Sequence, residues 1–274
     1  MPELPEVETI ARGLRPSILN KEITGCEVRY KNIIKIPEKE EFKKRVLNTQ
    51  VLEVKRRGKY LIISLNNEKD LIFHLGMTGK LLIKSGEAEI DKHTHIILNF
   101  AEGFDLRFNN IRKFGRVYLI NNDEPEKAGG LADLGPEPLS GDFTLEVFKK
   151  GFKNRTTFIK SLLLKQGFVA GLGNIYTDEA LFEAGISPDR RANTLKNEEK
   201  EKLYKAIIKV LKKGIKYCGT SINDYVDSKG VPGSFQDKLK VYGREGETCP
   251  ECGHKIAKKK IGGRSSHYCP HCQQ

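Results

Sequence analysis

The first eight residues, MPELPEVE, place a potential amine nucleophile beside two carboxylates. Initiator methionine is normally removed before a small residue, so we expect the mature chain to begin at Pro2 with a free secondary amine. Because the reference pKa of an α-amino group is roughly 8, an appreciable fraction is neutral at physiological pH and can attack an aldehyde carbon. The resulting iminium ion is cationic and accepts electrons during elimination. Glu3 and Glu6 are candidate acid/base groups beside it.

A purely structural role explains the same residues. Proline is common in the first turn of a helix, and a glutamate there interacts favourably with the helix dipole. Apolar residues then recur at helical spacing until Pro16, namely Val7, Ile10, Ala11 and Leu14. This pattern predicts a first helix of about three turns that carries Glu6.

The composition describes a globular chain with a polyanionic partner. With 274 residues and 38% hydrophobic residues the chain can form two compact domains. No apolar run approaches the roughly 20 residues of a membrane span, and the N-terminus lacks a signal-peptide core, so we expect a cytoplasmic protein. The net charge of +12 favours nucleic acid, although charge alone does not separate DNA from RNA or a membrane surface.

Four of the six cysteines form two CxxC pairs near the C-terminus, separated by 16 residues: Cys249, Cys252, Cys269 and Cys272. In a reducing compartment this spacing predicts one tetrahedral zinc on a β-hairpin, closed and therefore structural. Three nearby histidines are alternative ligands, but four thiolates already complete the shell; they are His254, His267 and His271. Between Cys249 and Cys272, five basic residues and one acidic residue give a net charge of +4. We interpret Cys26 and Cys218 as buried thiols.

The remaining chain divides into a strand-rich and a helical part. From Ile23 to about Ile120, seven segments have strand periodicity, which predicts an antiparallel β-sandwich or barrel: ITGCEVRY, VLEVKRR, KYLIISL, DLIFHL, THIILNF, DLRF and RVYLI. The predicted fold is therefore α+β and multidomain. Its parts are a β-sandwich domain with an N-terminal helix (1–125), a linker (126–140), a helical domain (141–244) and the finger (245–274).

Two stretches of the helical part could bind phosphate. Residues 149–165 carry six basic and no acidic side chains interleaved with apolar ones, which predicts a basic helix face that includes Lys153, or simply a solvated face. In GLGNIY, the glycines permit a tight turn and Asn174 can cap the next helix, whose first N–H groups would face an anion. Residues 197–217 predict an amphipathic helix, and residues 219–236 a mobile loop.

Taken together, PELPEVE, the GxGN turn followed by IYTDEALF, and the four-cysteine finger resemble the bacterial formamidopyrimidine-DNA glycosylases over the whole chain. These enzymes excise 8-oxoguanine and ring-opened purines. Leu4 fits this branch better than the related endonuclease VIII branch, which typically has glycine there. The resemblance implies a helix-two-turns-helix element at the GxGN turn and a loop within 219–236 that covers the extruded purine.

The resemblance also implies roles for single residues. Pro2 is the nucleophile and Glu3 its acid/base partner, while Glu6 assists Glu3 or only caps the helix. Lys59 and Arg264 lie at the active site, and three side chains fill the gap left by the extruded nucleotide: Met77, Arg112 and Phe114. His93 and Asn174 contact DNA. The basic stretch with Lys153 is a DNA-contact candidate by its composition rather than by the resemblance. By residue type alone, Met77 and Phe114 would be core residues, Lys59 and Arg112 solvated charges, and His93 an ordinary strand-start residue.

The expected function is a bifunctional DNA glycosylase and abasic-site lyase of base excision repair that acts through β,δ-elimination. The expected partner is damaged double-stranded DNA in the cleft between the domains of a monomer, in a bacterial cytoplasm, with one zinc per chain, no small-molecule cofactor and no membrane. A zinc-finger DNA-binding regulator would explain the charge and the cysteines but has no need of Pro2 or Glu3. A structural RNA-binding protein would not explain the large strand domain. Strand cleavage separates both from the glycosylase.

Overall fold

The structure, a computed structural model, describes residues 1–222 and 224–274 and divides into two compact units. Unit 1 comprises residues 1–133 and 217–234, and unit 2 comprises residues 134–216 and 235–274. Residues 217–234, which the sequence analysis assigns to the helical domain, thus pack with the N-terminal strands. We call them segment 217–234. The boundary at residue 133 falls inside the expected linker.

The described residues of unit 1 form nine strands in a two-layer arrangement. They are β1 (Glu22–Val28), β2 (Ile34–Ile36), β3 (Thr49–Arg57), β4 (Tyr60–Leu65), β5 (Lys69–His74), β6 (Gly79–Ser85), β7 (Thr94–Phe100), β8 (Phe104–Asn110) and β9 (Arg116–Asn121). One layer has the order β1-β7-β8-β6 and the other β2-β9-β5-β4-β3, joined by a short pairing of β1 with β3. These strands pair antiparallel, except that β2 runs parallel to β9.

All seven predicted strands are present, and the structure adds β2 and β6. Both lie at edges of the arrangement, where a strand needs few apolar residues and its period is hard to recognise. It also adds the helix α2 (Lys39–Val46), a polar segment that buries only Phe42 and Val46. A two-turn helix with so few apolar positions leaves almost no periodic signal.

The first helix, α1 (Leu4–Ile18), packs against the strand layers and positions the N-terminus. Its apolar face is fully buried through Val7, Ile10 and Leu14, which belong to a large hydrophobic core of unit 1. The expected end at Pro16 is wrong, because the helix continues to Ile18. Proline has a helix-compatible φ, and in the last turn it forfeits only one backbone hydrogen bond.

Unit 2 contains four helices and a β-hairpin. The helices are α3 (Leu145–Lys150), α4 (Ile159–Leu163), α5 (Asn174–Ala184) and α6 (Asn197–Lys216), and the hairpin consists of β10 (Ala257–Ile261) and β11 (Arg264–Tyr268). The predicted long amphipathic helix is confirmed as α6, which packs against α5. The predicted hairpin between the cysteine pairs is confirmed by the antiparallel pairing of β10 with β11.

The single basic helix expected from residues 149–165 is wrong. Helix α3 ends before Gly151, Asn154 adopts a left-handed φ of 60°, and a helix resumes only at Ile159. A left-handed residue interrupts helical hydrogen bonding, and Thr156 and Thr157 also disfavour a helix because their χ1 angles are restricted. The basic side chains therefore do not share one helical face.

The two cysteines outside the finger differ from each other. Cys26 is partly buried, and its burial raises the pKa of the thiol to about 12, as expected of an inert structural cysteine. Cys218 is exposed, which corrects the expectation of a buried thiol. Among the described residues no helix is long and apolar enough to cross a membrane.

Candidate active site and nucleic-acid interface

Pro2, Glu3 and Glu6 are all buried at the start of α1. Glu3 is the N-cap, and the two glutamates form a capping box in which each side chain accepts from the other residue's backbone N–H. The backbone N–H of Glu3 donates to Glu6 Oε2 at 2.8 Å. A capping box satisfies two of the orphan donors of a helix and holds the preceding peptide in one orientation. Met1, which precedes the buried Pro2, is 52% exposed.

Lys59 lies in the two-residue turn between β3 and β4 and is only 6% exposed. Gly58 supplies the positive φ of 55° that this turn requires. The turn is braced by Arg56, which donates to Gly58 O at 3.0 Å and to Glu8 Oε2 at 3.1 Å. Burial raises the pKa of Glu8, but the guanidinium groups of Arg12 and Arg56 outweigh it and lower this pKa overall. A chain of charge-assisted contacts thus connects α1 to the turn that bears Lys59.

The positive charge of Lys59 also affects the pKa of the neighbouring, partly buried His74. Burial, and to a lesser extent the charges of Lys59 and Arg116, together lower the pKa of His74 to about 4. His74 is therefore neutral at neutral pH, and it accepts from the backbone N–H of Gly76 at 3.3 Å. It contributes to the start of the 75–78 turn without adding charge.

Met77, Arg112 and Phe114 lie on two adjacent loops, and they are exposed rather than core residues. Met77 is 43% and Phe114 55% exposed, and the Arg112 guanidinium lies 5.0 Å from the centre of the Phe114 ring. Single exposed apolar residues are ordinary, but two on neighbouring loops, one of them beside an arginine, form an exposed apolar and cationic tip. This geometry suits insertion between bases.

Polar contacts beneath this tip hold the two loops together. The fully buried Asn110 side chain donates to Leu75 O at 3.1 Å, and its Oδ1 accepts from Thr78 Oγ1 at 3.3 Å. Thr78 Oγ1 in turn accepts from the backbone N–H of Arg112 at 3.1 Å. Gly76 lies so close to the second loop that a Cβ there would be 2.7 Å from backbone atoms of Phe114. Asn110 and Thr78 belong to no recognisable motif, so their role was not predictable from the sequence.

Phe114→Ala is expected to leave thermal stability nearly unchanged and to reduce excision from duplex DNA by about 10- to 100-fold, because a few kcal/mol of unstacking would no longer be offset. Single-turnover rates on a lesion-bearing duplex measure the effect. Leu52→Ala is the matched control, since Leu52 is 52% exposed on β3. A normal excision rate in Phe114→Ala would show that the ring does not fill the vacated position.

His93 lies beside a basic pocket of unit 1 with a volume of about 460 Å³. Its backbone N–H donates to Asp91 Oδ1 at 2.6 Å, so the residue precedes β7 in a fixed turn. Arg29 and Lys113 also line the pocket, and the Lys113 ammonium lies 4.5 Å from the centre of the Tyr30 ring. An aromatic wall with cationic rims is the composition expected of a nucleic-acid contact.

In unit 2 the glycine turn leads directly into α5, but Asn174 is not its cap. The N-cap is Gly173 in an extended conformation, and Asn174 is the first helical residue. Its side-chain amide instead donates to Ser265 O of the hairpin at 3.0 Å. The expected capping role is thus corrected, whereas the expected DNA contact of Asn174 stays a prediction. Lys153 is exposed in the irregular segment after α3.

The hairpin that carries Arg264 is anchored to the helices of unit 2 by a buried ion pair. Lys160 and Asp178 are inaccessible to solvent, with Nζ and Oδ1 separated by 2.6 Å. Lys160 Nζ also donates to Ser265 O at 2.6 Å, and the backbone N–H of His267 donates to Asp178 Oδ2 at 2.9 Å. Removing one member of such a pair costs about 3–5 kcal/mol. Lys160 therefore positions the hairpin and is not one of the solvated lysines that its sequence context suggested.

Arg264 itself is exposed at the first position of β11, directly after the Gly262–Gly263 turn. Both glycines have positive φ values, of 55° and 79°. Gly262 also approaches α4 closely, since a Cβ there would lie 2.4 Å from Ser161 Oγ. The anchored hairpin thus presents an arginine at a fixed turn.

The four finger cysteines converge as a zinc site requires. Sγ of Cys252 and Cys269 are 3.4 Å apart, and Sγ of Cys249 and Cys272 are 3.9 Å apart. Zn–S bonds of about 2.3 Å in a tetrahedron place sulfur atoms about 3.8 Å apart, so the donor set fits one zinc. Two of the four thiols are buried, with Phe182, Val241 and Ile256 around them. The predicted structural zinc is confirmed.

Cys269→Ser is expected to lose zinc and to weaken DNA binding by at least about tenfold while unit 1 stays folded, because metal binding and folding are coupled in so small a module. Zinc content by mass spectrometry and DNA titration by fluorescence anisotropy measure both effects. Cys218→Ser is the matched control, since Cys218 is an exposed cysteine outside the cluster. Full DNA affinity in a zinc-free Cys269→Ser protein would contradict this prediction.

Three domain families of one class of enzyme match successive parts of this chain. Residues 1–117 match the formamidopyrimidine-DNA glycosylase N-terminal domain, residues 134–226 the H2TH domain of the same glycosylases, and residues 246–274 the zinc finger found in these enzymes and in isoleucyl-tRNA synthetase. The fold and the finger thus define a DNA repair glycosylase with a structural zinc.

Whole-chain similarity identifies the family. The formamidopyrimidine-DNA glycosylases of Pelotomaculum thermopropionicum and Carboxydothermus hydrogenoformans are each 48% identical over 274 residues, covering all of this chain and at least 99% of theirs. A point mutant of the Lactococcus lactis enzyme in complex with Fapy-dG containing DNA superposes with a TM-score of 0.93 at 39% identity, with both chains fully covered. A complex of that enzyme with DNA containing an abasic site gives the same TM-score over 99% of each chain.

The chain belongs to the formamidopyrimidine-DNA glycosylase family and is a DNA-binding glycosylase of base excision repair. The expected family is confirmed. The two alternatives, a zinc-finger regulator and a structural RNA-binding protein, are thereby set aside.

Proposed function

We propose that the protein is bifunctional: it excises oxidised purines such as 8-oxoguanine and formamidopyrimidines, and it cleaves the resulting abasic site by β,δ-elimination. The observation that carries the proposal is the buried Pro2–Glu3 pair at the start of α1, held by Glu6. The Lactococcus lactis enzyme, crystallised with Fapy-dG DNA and with abasic-site DNA, supports both substrates by similarity.

The first step requires the damaged nucleotide to leave the base stack, because its C1′ is not accessible to an amine inside the duplex. Unstacking costs a few kcal/mol, which the exposed Met77, Arg112 and Phe114 offset in part by filling the vacated space. His93 and Lys153, together with Asn174, hold the backbone of the DNA through its phosphates.

The nitrogen of Pro2 then attacks C1′ as the base departs, while Glu3 transfers a proton to or from the reacting sugar. The C1′–base bond breaks and a C1′–N bond forms, which gives a cationic iminium once the sugar ring has opened. This cation acidifies the 2′ proton, and removal of that proton expels the 3′ phosphate. A second elimination expels the 5′ phosphate, and Lys59 and Arg264 are the groups that position the sugar or transfer protons.

The zinc has no part in these bond changes, because four thiolates leave no position open for substrate. When bound, it orders the finger that presents Arg264. We further propose that the protein acts as a monomer without a small-molecule cofactor, on DNA of the nucleoid in a bacterial cytoplasm.

The test is incubation of the purified chain with duplexes that carry one 8-oxoguanine, formamidopyrimidine, oxidised pyrimidine or abasic site, with products resolved by size. We expect a one-nucleotide gap with phosphate at both ends at the purine lesions and at the abasic site. Base release without strand cleavage would refute the lyase step. Cleavage at oxidised pyrimidines alone would refute the substrate assignment.

A further inference from the structure

One carboxylate in unit 1 joins two parts of the chain that are far apart in sequence. Glu6 is 2% exposed, and both of its oxygens are used. Oε2 accepts from the backbone N–H of Glu3 at 2.8 Å, and Oε1 accepts from the backbone N–H of Thr220 at 2.7 Å. The first contact holds the Pro2–Glu3 peptide, and the second holds segment 217–234 against α1. Hydrogen bonds from N–H groups to a buried carboxylate are among the stronger ones in proteins.

The surroundings of Glu6 show that segment 217–234 approaches α1 very closely. Gly219 has a φ of 81°, and a Cβ there would lie 2.8 Å from Glu6 Oε1 and 2.9 Å from its Cγ. The Tyr225 hydroxyl donates to Glu6 O at 3.4 Å, and burial together with the Glu6 charge raises the pKa of this hydroxyl far above its usual range. The segment continues along the same helix, where Ser228 lies against Gly13.

We propose that Glu6 is a positioning residue that couples the packing of segment 217–234 to the orientation of the Pro2–Glu3 peptide. While the segment is packed, both N–H groups share the carboxylate, and the Pro2 nitrogen is held in one direction. When the segment lifts, Oε1 loses the Thr220 N–H, and the carboxylate is free to turn away from Glu3. The nucleophile is then aligned only when the segment is in place. This inference rests on the proposed role of Pro2.

Two variants should weaken this coupling, one by changing the carboxylate and the other by changing segment 217–234. In Glu6→Gln the amide nitrogen is a donor, so it cannot accept from one of the two N–H groups. In Gly219→Ala the carboxylate is intact, but the new Cβ would occupy the space of Glu6 Oε1, and the positive φ disfavours alanine. Ser228→Ala is the matched control in the segment, because the Ser228 hydroxyl is buried without a hydrogen-bond partner among the described residues.

The decisive measurement is amide exchange of Glu3 in the free protein, followed by NMR. We expect Gly219→Ala to raise the exchange rate of the Glu3 amide by about tenfold or more, although the substitution does not touch Glu3, and Ser228→Ala to leave it unchanged. Glu6→Gln should raise exchange of the Thr220 amide to a similar extent, which keeps the test available if Gly219→Ala folds poorly.

The matching functional measurement is borohydride trapping on a preformed abasic duplex, which has no base for the segment to cover. Coupling predicts that Gly219→Ala lowers the trapping rate by about tenfold without a comparable loss of DNA affinity. It also predicts that the double variant with Glu6→Gln is no slower than the slower single variant, because both act on one contact. Normal trapping and normal Glu3 exchange in Gly219→Ala, or fully additive losses, would overturn the coupling.

The two proposals fail in distinguishable ways. A wild-type chain that is not trapped through Pro2 would refute the proposed chemistry, whereas the exchange of the Glu3 amide in the free protein would still measure the coupling.

Discussion

Glu3→Gln is expected to bind a damaged duplex with wild-type affinity, to excise 8-oxoguanine about 10²- to 10⁴-fold more slowly, and still to nick preformed abasic DNA. With an intact lesion, C1′ carries a base that must leave, and proton transfer by Glu3 lowers that barrier. An abasic site has already lost its base, and its ring-opened aldehyde can condense directly with Pro2. Removing the titrating group should therefore impair excision much more than lyase activity.

The structure makes glutamine a suitable replacement at this position. The Glu3 side chain accepts from the backbone N–H of Glu6 in the capping box, and a glutamine carbonyl can keep that bond. Thermal unfolding of Glu3→Gln should therefore match the wild type, which separates a chemical effect from misfolding. Single-turnover rates on the two substrates give the answer. Equal loss on both substrates with intact binding would mean that Glu3 acts on a shared step such as iminium formation.

Blocking the amine of Pro2 should abolish both chemical steps. A chain with a glutamate inserted between Met1 and Pro2 keeps its methionine, because removal requires a small following residue, and its Pro2 nitrogen is then an amide. We expect excision and borohydride trapping to fall by at least about 10³-fold, since no other group replaces a lost nucleophile efficiently. DNA affinity should persist, because the phosphate contacts proposed above lie elsewhere.

The matched control is a chain with a protease-cleavable extension that ends directly before Pro2. Cleavage should restore trapping, and mass mapping of the reduced adduct should place the DNA on Pro2. An adduct on Lys59 or another internal lysine would show that the proline is not the nucleophile. Buried Lys59 is the most informative competitor, because it is the other amine that the resemblance places at the active site.

The features that were predictable from the sequence are those that neighbouring residues create. The zinc ligands were predictable because each CxxC pair converges within one turn, and the hairpin needs only the residues between the pairs. The seven predicted strands were recognisable because a strand with one buried face alternates with a period of two. Edge strands and the short polar helix α2 gave no such signal. Pro2 and Glu3 were candidates because their chemistry lies in adjacent residues.

The sequence by itself determined the elements and the chemistry that local neighbours create, whereas the tertiary structure decided which side chains are buried and what they touch. Phe114 is equally suited to a core or an exposed tip, and its exposure depends on loops held by Asn110. Lys160 resembles a surface lysine in its sequence context, but Asp178 on another helix pairs with its charge and so stabilises it in the interior. Segment 217–234 packs with unit 1, where the buried Glu6 carboxylate accepts the Thr220 N–H. Contacts between residues so distant in sequence form only in the folded chain, so no local period or spacing predicts them.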